Sequence, residues 1–156
     1  MDYKDLANLI FPDAKPIEFY EEKYPERDLP EGAMVVRIGP SPTGSVHIGT
    51  IYQALLARTI ADKTNGVFFM RVEDTDQKRK VDGAVDAMLK GLEVYTIKAD
   101  EGVIGEGNEI GDYGPYYQSA RKEIYQTYAK SLVKQGLAYP CFCTAEEIDE
   151  IRRQQE

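Results

Sequence analysis

Residues 37–50 read Arg37-Ile38-Gly39-Pro40-Ser41-Pro42-Thr43-Gly44-Ser45-Val46-His47-Ile48-Gly49-Thr50. A short apolar segment at 34–38 leads into this stretch and predicts a buried strand. The residues after it repeat apolar side chains at helical spacing and predict a helix. We expect one face of that helix to reach the core through Ile51, Tyr52, Leu55, Leu56 and Ile60.

The loop between this strand and helix has the chemistry of an anion site. Pro40 and Pro42 fix the backbone, and Gly44 allows a positive φ. Hydroxyl groups come from Ser41, Thr43 and Ser45. The helix start carries free N–H groups and a positive dipole end, and Gly49 in its first turn allows close approach to the backbone. The loop therefore predicts a phosphate site, although it lacks both the GxxxxGK[ST] and the GxGxxG spacing.

His47 is the only histidine of the chain and stands at the predicted helix start. A lone histidine is more often structural than catalytic, but this one follows a hydroxyl-rich, glycine-containing loop. An imidazole there can donate to phosphoryl oxygens and stabilise negative charge that develops during attack on phosphorus. We therefore treat His47 as a catalytic candidate.

The next segments predict an α/β sheet. Asn65-Gly66 is a helix stop, and residues 67–72 then form a second apolar strand. A strand, a helix and a strand in this order imply parallel pairing, and ligands of such sheets bind beyond the carboxyl ends of the strands. Arg37 and Glu73 should both face that edge, where they could bind the carboxylate and the ammonium of an amino acid. An ordinary ion pair between them is the alternative.

Several motifs resemble class I aminoacyl-tRNA synthetases, in the form found in glutamyl-tRNA synthetases. The first is Pro40–Gly44 followed by His47–Thr50, which is similar to the HIGH region of that family. The second is Arg71-Val72-Glu73-Asp74-Thr75-Asp76, which is similar to RIEDTD. Two further matches are Asp100–Gly102 and Gly114–Ser119. The related glutaminyl enzymes usually read PEPNG and have a second histidine, so Ser41, Thr43 and Thr50 favour glutamate.

The resemblance implies a Rossmann-like open parallel sheet with flanking helices, the first half of a class I catalytic domain. It also implies site residues. The positions matched to glutamate binding are Arg37, Gly39, Ser41 and Glu73. The positions matched to ATP binding are Ser41, Thr43, Gly44, His47 and Gly49. The catalytic positions are His47 and Thr50.

The sequence gives little indication of a metal site. Asp74 to Asp76 can cap the next helix, whose apolar stripe is Ala84, Val85, Met88, Leu89 and Leu92. We expect no dedicated metal site, and Mg²⁺ to arrive with ATP. Cys141 and Cys143 make at most half of a four-ligand zinc site, so zinc would need ligands beyond Glu156.

The chain has 156 residues and a net charge of −8. Residues 1–33 hold four basic and nine acidic groups and four prolines, and predict an N-terminal extension with a short helix at about 3–10 and an irregular strap. Residues 34–156 are predicted to form the catalytic half-domain. The absence of an 18-residue apolar run and of a signal peptide favours a cytoplasmic protein without a membrane partner.

The second half of the chain alternates between loop and helix signals. Five glycines among acidic residues at 100–114 predict a mobile loop, with 103–113 as an insertion relative to the family. Three tyrosines at and just after the end of this segment could stack on a base or cover a core edge: Tyr113, Tyr116 and Tyr117. A helix should begin near Ser119 and end at Gly136, with the stripe Ile124, Tyr128 and Leu132. A strand is expected at 137–143, followed by a helix that Thr144 and Glu147 cap.

The function implied by the resemblance is the activation of glutamate by ATP and its transfer to tRNA(Glu). No KMSKS-like lysine loop occurs, so this fragment alone should be inactive, and its open sheet edge should allow self-association. The low basic content argues against a broad RNA-binding surface within this chain. Two alternatives stay open: an enzyme that resembles glutamyl-queuosine tRNA(Asp) synthetases, and a truncated, non-catalytic binding module.

Overall fold

The structure is a computed structural model that describes residues 2–44, 46–76 and 78–155. None of the helices in these ranges is long and apolar enough to cross a membrane. The helices are α1 Tyr3–Ile10, α2 Ile17–Lys23, α3 Ile48–Thr64, α4 Ala84–Val94, α5 Lys122–Lys134 and α6 Ala145–Gln155, with a 3₁₀ turn at Ser119–Arg121. The strands are β1 Val35–Ile38, β2 Val67–Met70, β3 Glu101–Gly105 and β4 Asn108–Ile110.

The four strands form one open sheet in the order β1-β2-β3-β4. The first two pairs are parallel, and β3 pairs antiparallel with β4. A parallel neighbour requires a crossover, which α3 and α4 provide. The largest fully buried side chains are Tyr116, Phe68, Met70, Val72 and Val103. The predicted open α/β sheet with flanking helices is confirmed.

The chain divides into two compact units. One holds residues 18–125 and contains the sheet with α3 and α4. The other holds the residues up to Ile17 together with those from Gln126 onward.

Helix α3 has the predicted bounds but packs through a different face. Its buried residues are Ala54, Ala57 and Ala61. Tyr52, Leu55 and Leu56 are 60%, 48% and 44% exposed, so the expectation that they face the core is wrong. Small side chains let the helix backbone approach the sheet closely, and the larger residues are left on the outer face. Asn65 ends the helix in the left-handed conformation, as predicted.

The segment predicted as a mobile loop at 100–114 is largely a β-hairpin. Strands β3 and β4 lie within this segment and pair with each other, and Val103 is only 1% exposed. Gly102 has a φ of +115°, and a side chain at this position would collide with the Met70 backbone of β2. Glycine here allows close strand packing, so a glycine-rich composition was a misleading loop signal. Tyr116 is 1% exposed, which agrees with the alternative that these tyrosines cover the core.

The prediction that Asp74 to Asp76 cap the next helix is wrong. Helix α4 begins after Gly83, and no side chain caps it. Asp74 instead accepts hydrogen bonds from the backbone N and the Oγ of Ser119, at 2.9 and 2.6 Å. Asp76 accepts from Arg79, with Nε at 2.6 Å from Oδ2. The apolar stripe of α4 is confirmed, since Ala84, Val85, Met88 and Leu92 are buried.

The N-terminal and C-terminal segments follow their local signals except at residues 137–143 and in the predicted stripe of α5, where Ile124 is buried but Tyr128 and Leu132 are 43% and 45% exposed. Helix α1 has the predicted bounds. Helix α5 ends before Gly136, whose φ is +73°. The capping box of α6 forms between Thr144 and Glu147. The irregular strap contains helix α2. The predicted strand at 137–143 is not formed, because Tyr139 and Phe142 are 82% and 89% exposed and gain no burial from an extended conformation.

Arg27 fastens the chain before β1 to the hairpin. Its guanidinium pairs with both carboxylate oxygens of Glu101, with Nη2 at 2.7 Å from Oε2, and lies 3.7 Å from the ring centre of Tyr113. Tyr116 donates to the same carboxylate at 2.7 Å. The bond from Arg27 keeps the pKa of Glu101 below its ordinary value, and burial together with the Glu101 bond raises the pKa of Tyr116 to about 12.

We expect Glu101→Gln to lower the free energy of unfolding at pH 7 by about 1.5–3 kcal/mol, the range for hydrogen bonds to charged groups. A carboxyl with a depressed folded pKa stabilises above its unfolded value and loses that contribution as pH falls through the folded value. The difference in the free energy of unfolding between wild type and Glu101→Gln should therefore decrease as the pH falls below 4.5, the ordinary pKa of a glutamate carboxyl. Urea unfolding between pH 3 and 7 measures it. Glu106→Gln is the matched control, and a pH-independent difference would contradict the assignment.

Candidate active site

The parallel pairing of β1 and β2 continues beyond the strand ends. The backbone N of Arg71 donates to the carbonyl of Ile38 at 3.1 Å, and the N of Glu73 donates to the carbonyl of Pro40 at 2.9 Å. These bonds place residues 37–40 directly beside residues 71–73. The two predicted motifs therefore meet at the carboxyl edge of the sheet, where ligands of such sheets bind.

Two guanidinium groups converge on one carboxylate oxygen at this edge. Arg37 Nη1 lies 3.2 Å from Glu73 Oε1, and Arg71 Nη2 lies 3.3 Å from the same atom. The side chains of Arg37, Glu73 and Arg71 are 42%, 31% and 20% exposed. Arg37 and Glu73 thus meet at the predicted edge, where they form the ion pair that the sequence left open as the alternative. Arg71 was not predicted, although its position two residues before Glu73 in an extended segment places both on one face.

Gly39 supplies the clearance for this cluster. A methyl group at this position would overlap Arg37 Nη1 and Glu73 Oε1. Both atoms are the ends of flexible side chains, so they could move aside. A larger residue at position 39 would therefore change the geometry of the pair more than the stability of the sheet.

The loop after β1 lines a small cavity of about 190 Å³. Its polar lining comes from the predicted residues Ser41, Thr43, Gly44 and Thr50, and α4 contributes Ala84 and Met88. Gly44 has a φ of +143°, which favours glycine. The backbone N of Val81 donates to the carbonyl of Pro42 at 2.9 Å and holds the loop. The predicted hydroxyl of Ser45 lies outside the described residues.

His47 is the N-terminal capping residue of α3 and is exposed. Its side chain makes no capping hydrogen bond, whereas its carbonyl accepts from Thr50 N at 3.0 Å. A methyl group at Gly49 would meet nothing within 4 Å, so the first turn is open on that side. His47 and Gly49 do not line the 190 Å³ cavity and stand at the adjacent helix start.

The part of the chain that the structure describes contains no group of three or more histidine, cysteine, aspartate or glutamate residues arranged to hold a metal ion. Cys141 and Cys143 are free and exposed. A hydrogen bond with Cys141 raises the pKa of the Cys143 thiol. Two thiols are half of a zinc ligand set and do not fit a closed zinc site by themselves.

The family model described as tRNA synthetases class I (E and Q), catalytic domain, matches residues 33–156. This chain belongs to that family. The match includes the paired strand ends, the loop after β1 and the start of α3.

Relatives of the chain in this synthetase family are named for glutamate. The chain is 53% identical over 157 residues to the glutamate–tRNA ligase of Acetivibrio thermocellus, covering 99% of this chain and 29% of that protein. It is 50% identical over 156 residues to the glutamate–tRNA ligase of Clostridium perfringens strain 13, again covering 99% and 29%. The chain thus spans less than a third of the length of these relatives.

A solved structure also resembles this synthetase chain. It is a glutamate tRNA ligase from Elizabethkingia meningosepticum, described as in complex with its amino acid. The identity is 38% and the TM-score is 0.68, over 78% of this chain and 24% of that one.

We expect Gly39→Ala and Gly66→Ala to differ in stability although both add one methyl group. At Gly66 the methyl group would overlap the backbone of Met34, which cannot yield, so the cost should be about 1–3 kcal/mol. At Gly39 the side-chain ends move aside, and the cost should stay within about 0.5 kcal/mol. Urea unfolding of both variants measures the difference. Equal losses would show that Gly39 serves the backbone packing instead.

Proposed function

We propose that this chain carries the glutamate and ATP sites of an enzyme that activates glutamate and transfers it to tRNA(Glu). The observation that carries the proposal is the cluster of Arg37, Arg71 and Glu73 beside the hydroxyl-lined loop at the start of α3. The names of the relatives support glutamate as the amino acid.

The charges of the cluster are complementary to glutamate. Two guanidinium groups and one carboxylate give a formal charge of +1, and glutamate has a net charge of −1 at neutral pH. We assign the ammonium of glutamate to Glu73 and the side-chain carboxylate to Arg37, whose guanidinium can form two parallel bonds. We also assign Gly39 and Ser41 to the glutamate site, and Gly39 gives the clearance that this pair needs.

The adjacent loop and helix start are assigned to ATP. Ser41, Thr43, Gly44 and Gly49 would border the triphosphate, and the free N–H groups of α3 favour anionic oxygens. The α-carboxylate oxygen of glutamate attacks the α-phosphorus, a bond to that oxygen forms, and the bond to pyrophosphate breaks. His47, with Thr50 beside it, would donate to the phosphoryl oxygens as their charge increases. Mg²⁺ would arrive with the phosphates and neutralise their charge.

The remaining assignments concern the domain division, the partner and the location. We place residues 1–33 as an extension and residues 34–156 as the N-terminal half of the catalytic domain, a division that the family match over 33–156 supports. The partner tRNA(Glu) and a cytoplasmic location follow from the proposed reaction. The exposed face of α3 and the edge strand β1 would be covered by further chain or by self-association.

Arg37→Ala should weaken glutamate binding at least about tenfold and remove the preference for glutamate over glutamine, because the carboxylate loses a charged hydrogen bond. Arg37→Lys should restore little, since an ammonium cannot bind both carboxylate oxygens in parallel. Calorimetry with both amino acids measures this, with Arg152→Ala as the control for lost charge. Equal glutamate affinity in wild type and Arg37→Ala would remove Arg37 from the site.

His47→Ala should lower adenylate formation about 10²- to 10³-fold while ATP binding changes little, because the imidazole acts on charge that develops during attack. Pyrophosphate exchange measures this in a full-length enzyme, with this chain replacing the matching segment of the Acetivibrio thermocellus ligase. The 156-residue chain alone is the negative control, since its sequence has no KMSKS-like loop. Unchanged exchange in His47→Ala would contradict the assignment.

A further inference from the structure

The two arginines that contact Glu73 are held differently. The side chain of Arg71 is 20% exposed. Arg37 is 42% exposed. A more exposed side chain loses more freedom on pairing and is more easily drawn to another anion. Arg71 is therefore the fixed partner of Glu73, and Arg37 the exchangeable one.

The side chain of Arg71 is sparsely bonded for a guanidinium at this depth. Its Nε is buried and has no hydrogen-bond partner within residues 2–44, 46–76 and 78–155. Its Nη2 contacts Glu73 Oε1 at 3.3 Å. A charged group with little solvent contact gains most from a partner of opposite charge. Arg71 thus favours the conformation in which Glu73 points toward it.

The direction of the Glu73 carboxylate determines whether the guanidinium of Arg37 is available to a ligand. If Glu73 were free to turn, its carboxylate could take both terminal nitrogens of Arg37 in a bidentate pair, which is the strongest arrangement of these two groups. That pair would occupy Arg37, which the proposed function assigns to a substrate carboxylate. It would also move Glu73 away from the substrate ammonium.

We propose that Arg71 is a positioning residue that holds Glu73 for the substrate ammonium and thereby leaves Arg37 available for the carboxylate. This inference rests on the proposed function, because it assumes that the cluster binds glutamate. It differs from a simple electrostatic attraction of anions. An arginine that only attracts anions would favour a dianion over glutamate, whereas an arginine that positions Glu73 favours the ligand with an ammonium.

Glutamate and glutarate separate the two roles, because glutarate has both carboxylates and lacks the ammonium. NMR titrations of the purified chain with each ligand give both dissociation constants. In wild type we expect glutamate to bind more tightly than glutarate. In Arg71→Gln the preference should fall about tenfold, chiefly by weaker glutamate binding, the size expected for one charged hydrogen bond. Arg71→Lys should retain part of the preference.

Two controls separate positioning from folding and from general charge. Arg79→Gln removes a cation whose side chain is 73% exposed and pairs with Asp76, so the preference should stay at the wild-type value. In a Glu73→Gln background, Arg71→Gln should have no further effect on the preference, because Arg71 acts through Glu73. Thermal unfolding of each variant verifies that it is folded, and Arg71→Lys carries the test if Arg71→Gln is unfolded.

Each result supports or overturns the inference. An unchanged preference in Arg71→Gln, or a preference that rises because glutarate loses more affinity, overturns it and leaves the glutamate site intact. The inference is also overturned if Arg71→Gln lowers the preference for glutamate over glutarate in the Glu73→Gln background as much as it does in wild type. Failure of the folded wild-type chain to bind either ligand overturns the proposed function and this inference together.

Discussion

The site depends on one backbone hydrogen bond, from the N of Glu73 to the carbonyl of Pro40 at 2.9 Å. It extends the parallel pairing of β1 and β2 past the last paired residues and joins two loops that are distant in sequence. Arg37 and Glu73 are 36 positions apart, and their 3.2 Å contact requires the register that the β1–β2 pairing sets and that this bond continues. The cavity beside α3 uses the same loop, so both halves of the proposed reaction are placed by the same backbone contact.

The site combines a rigid frame with side chains that can exchange partners. The strand ends, the prolines and the backbone bond from Val81 fix the loop after β1. Gly39 leaves space for the ends of the Arg37 and Glu73 side chains. Arg37 is partly exposed and already paired, which means that a substrate carboxylate would replace a contact and not fill an empty position. Arg71 makes that replacement feasible, because Glu73 keeps one cationic partner when Arg37 turns to the ligand.

The hairpin β3–β4 is held by contacts with the chain before β1. Arg27, Glu101 and Tyr116 form one partly buried hydrogen-bonded group, and Tyr24 donates to the carbonyl of Gly114 at 2.5 Å. A segment whose composition predicts a loop thereby forms the third and fourth strands of the sheet. The contacts that order it come from residues more than 70 positions away, which no local pattern reveals.

The sequence by itself determined the order of strand, helix and strand, the stop at Asn65, the capping box of α6, and the loop whose motifs lead to the synthetase family. These features depend on neighbouring residues and on backbone chemistry that a short window contains. Only the tertiary structure decided that α3 packs through alanines, that Asp74 binds Ser119, that residues 101–110 form a hairpin, and that Arg71 joins Arg37 at Glu73. Those outcomes depend on how closely two backbones approach and on which distant side chain fills the remaining space. Hydrophobic periodicity reports the polarity of a residue, but it does not report the size of the gap that the residue must fit.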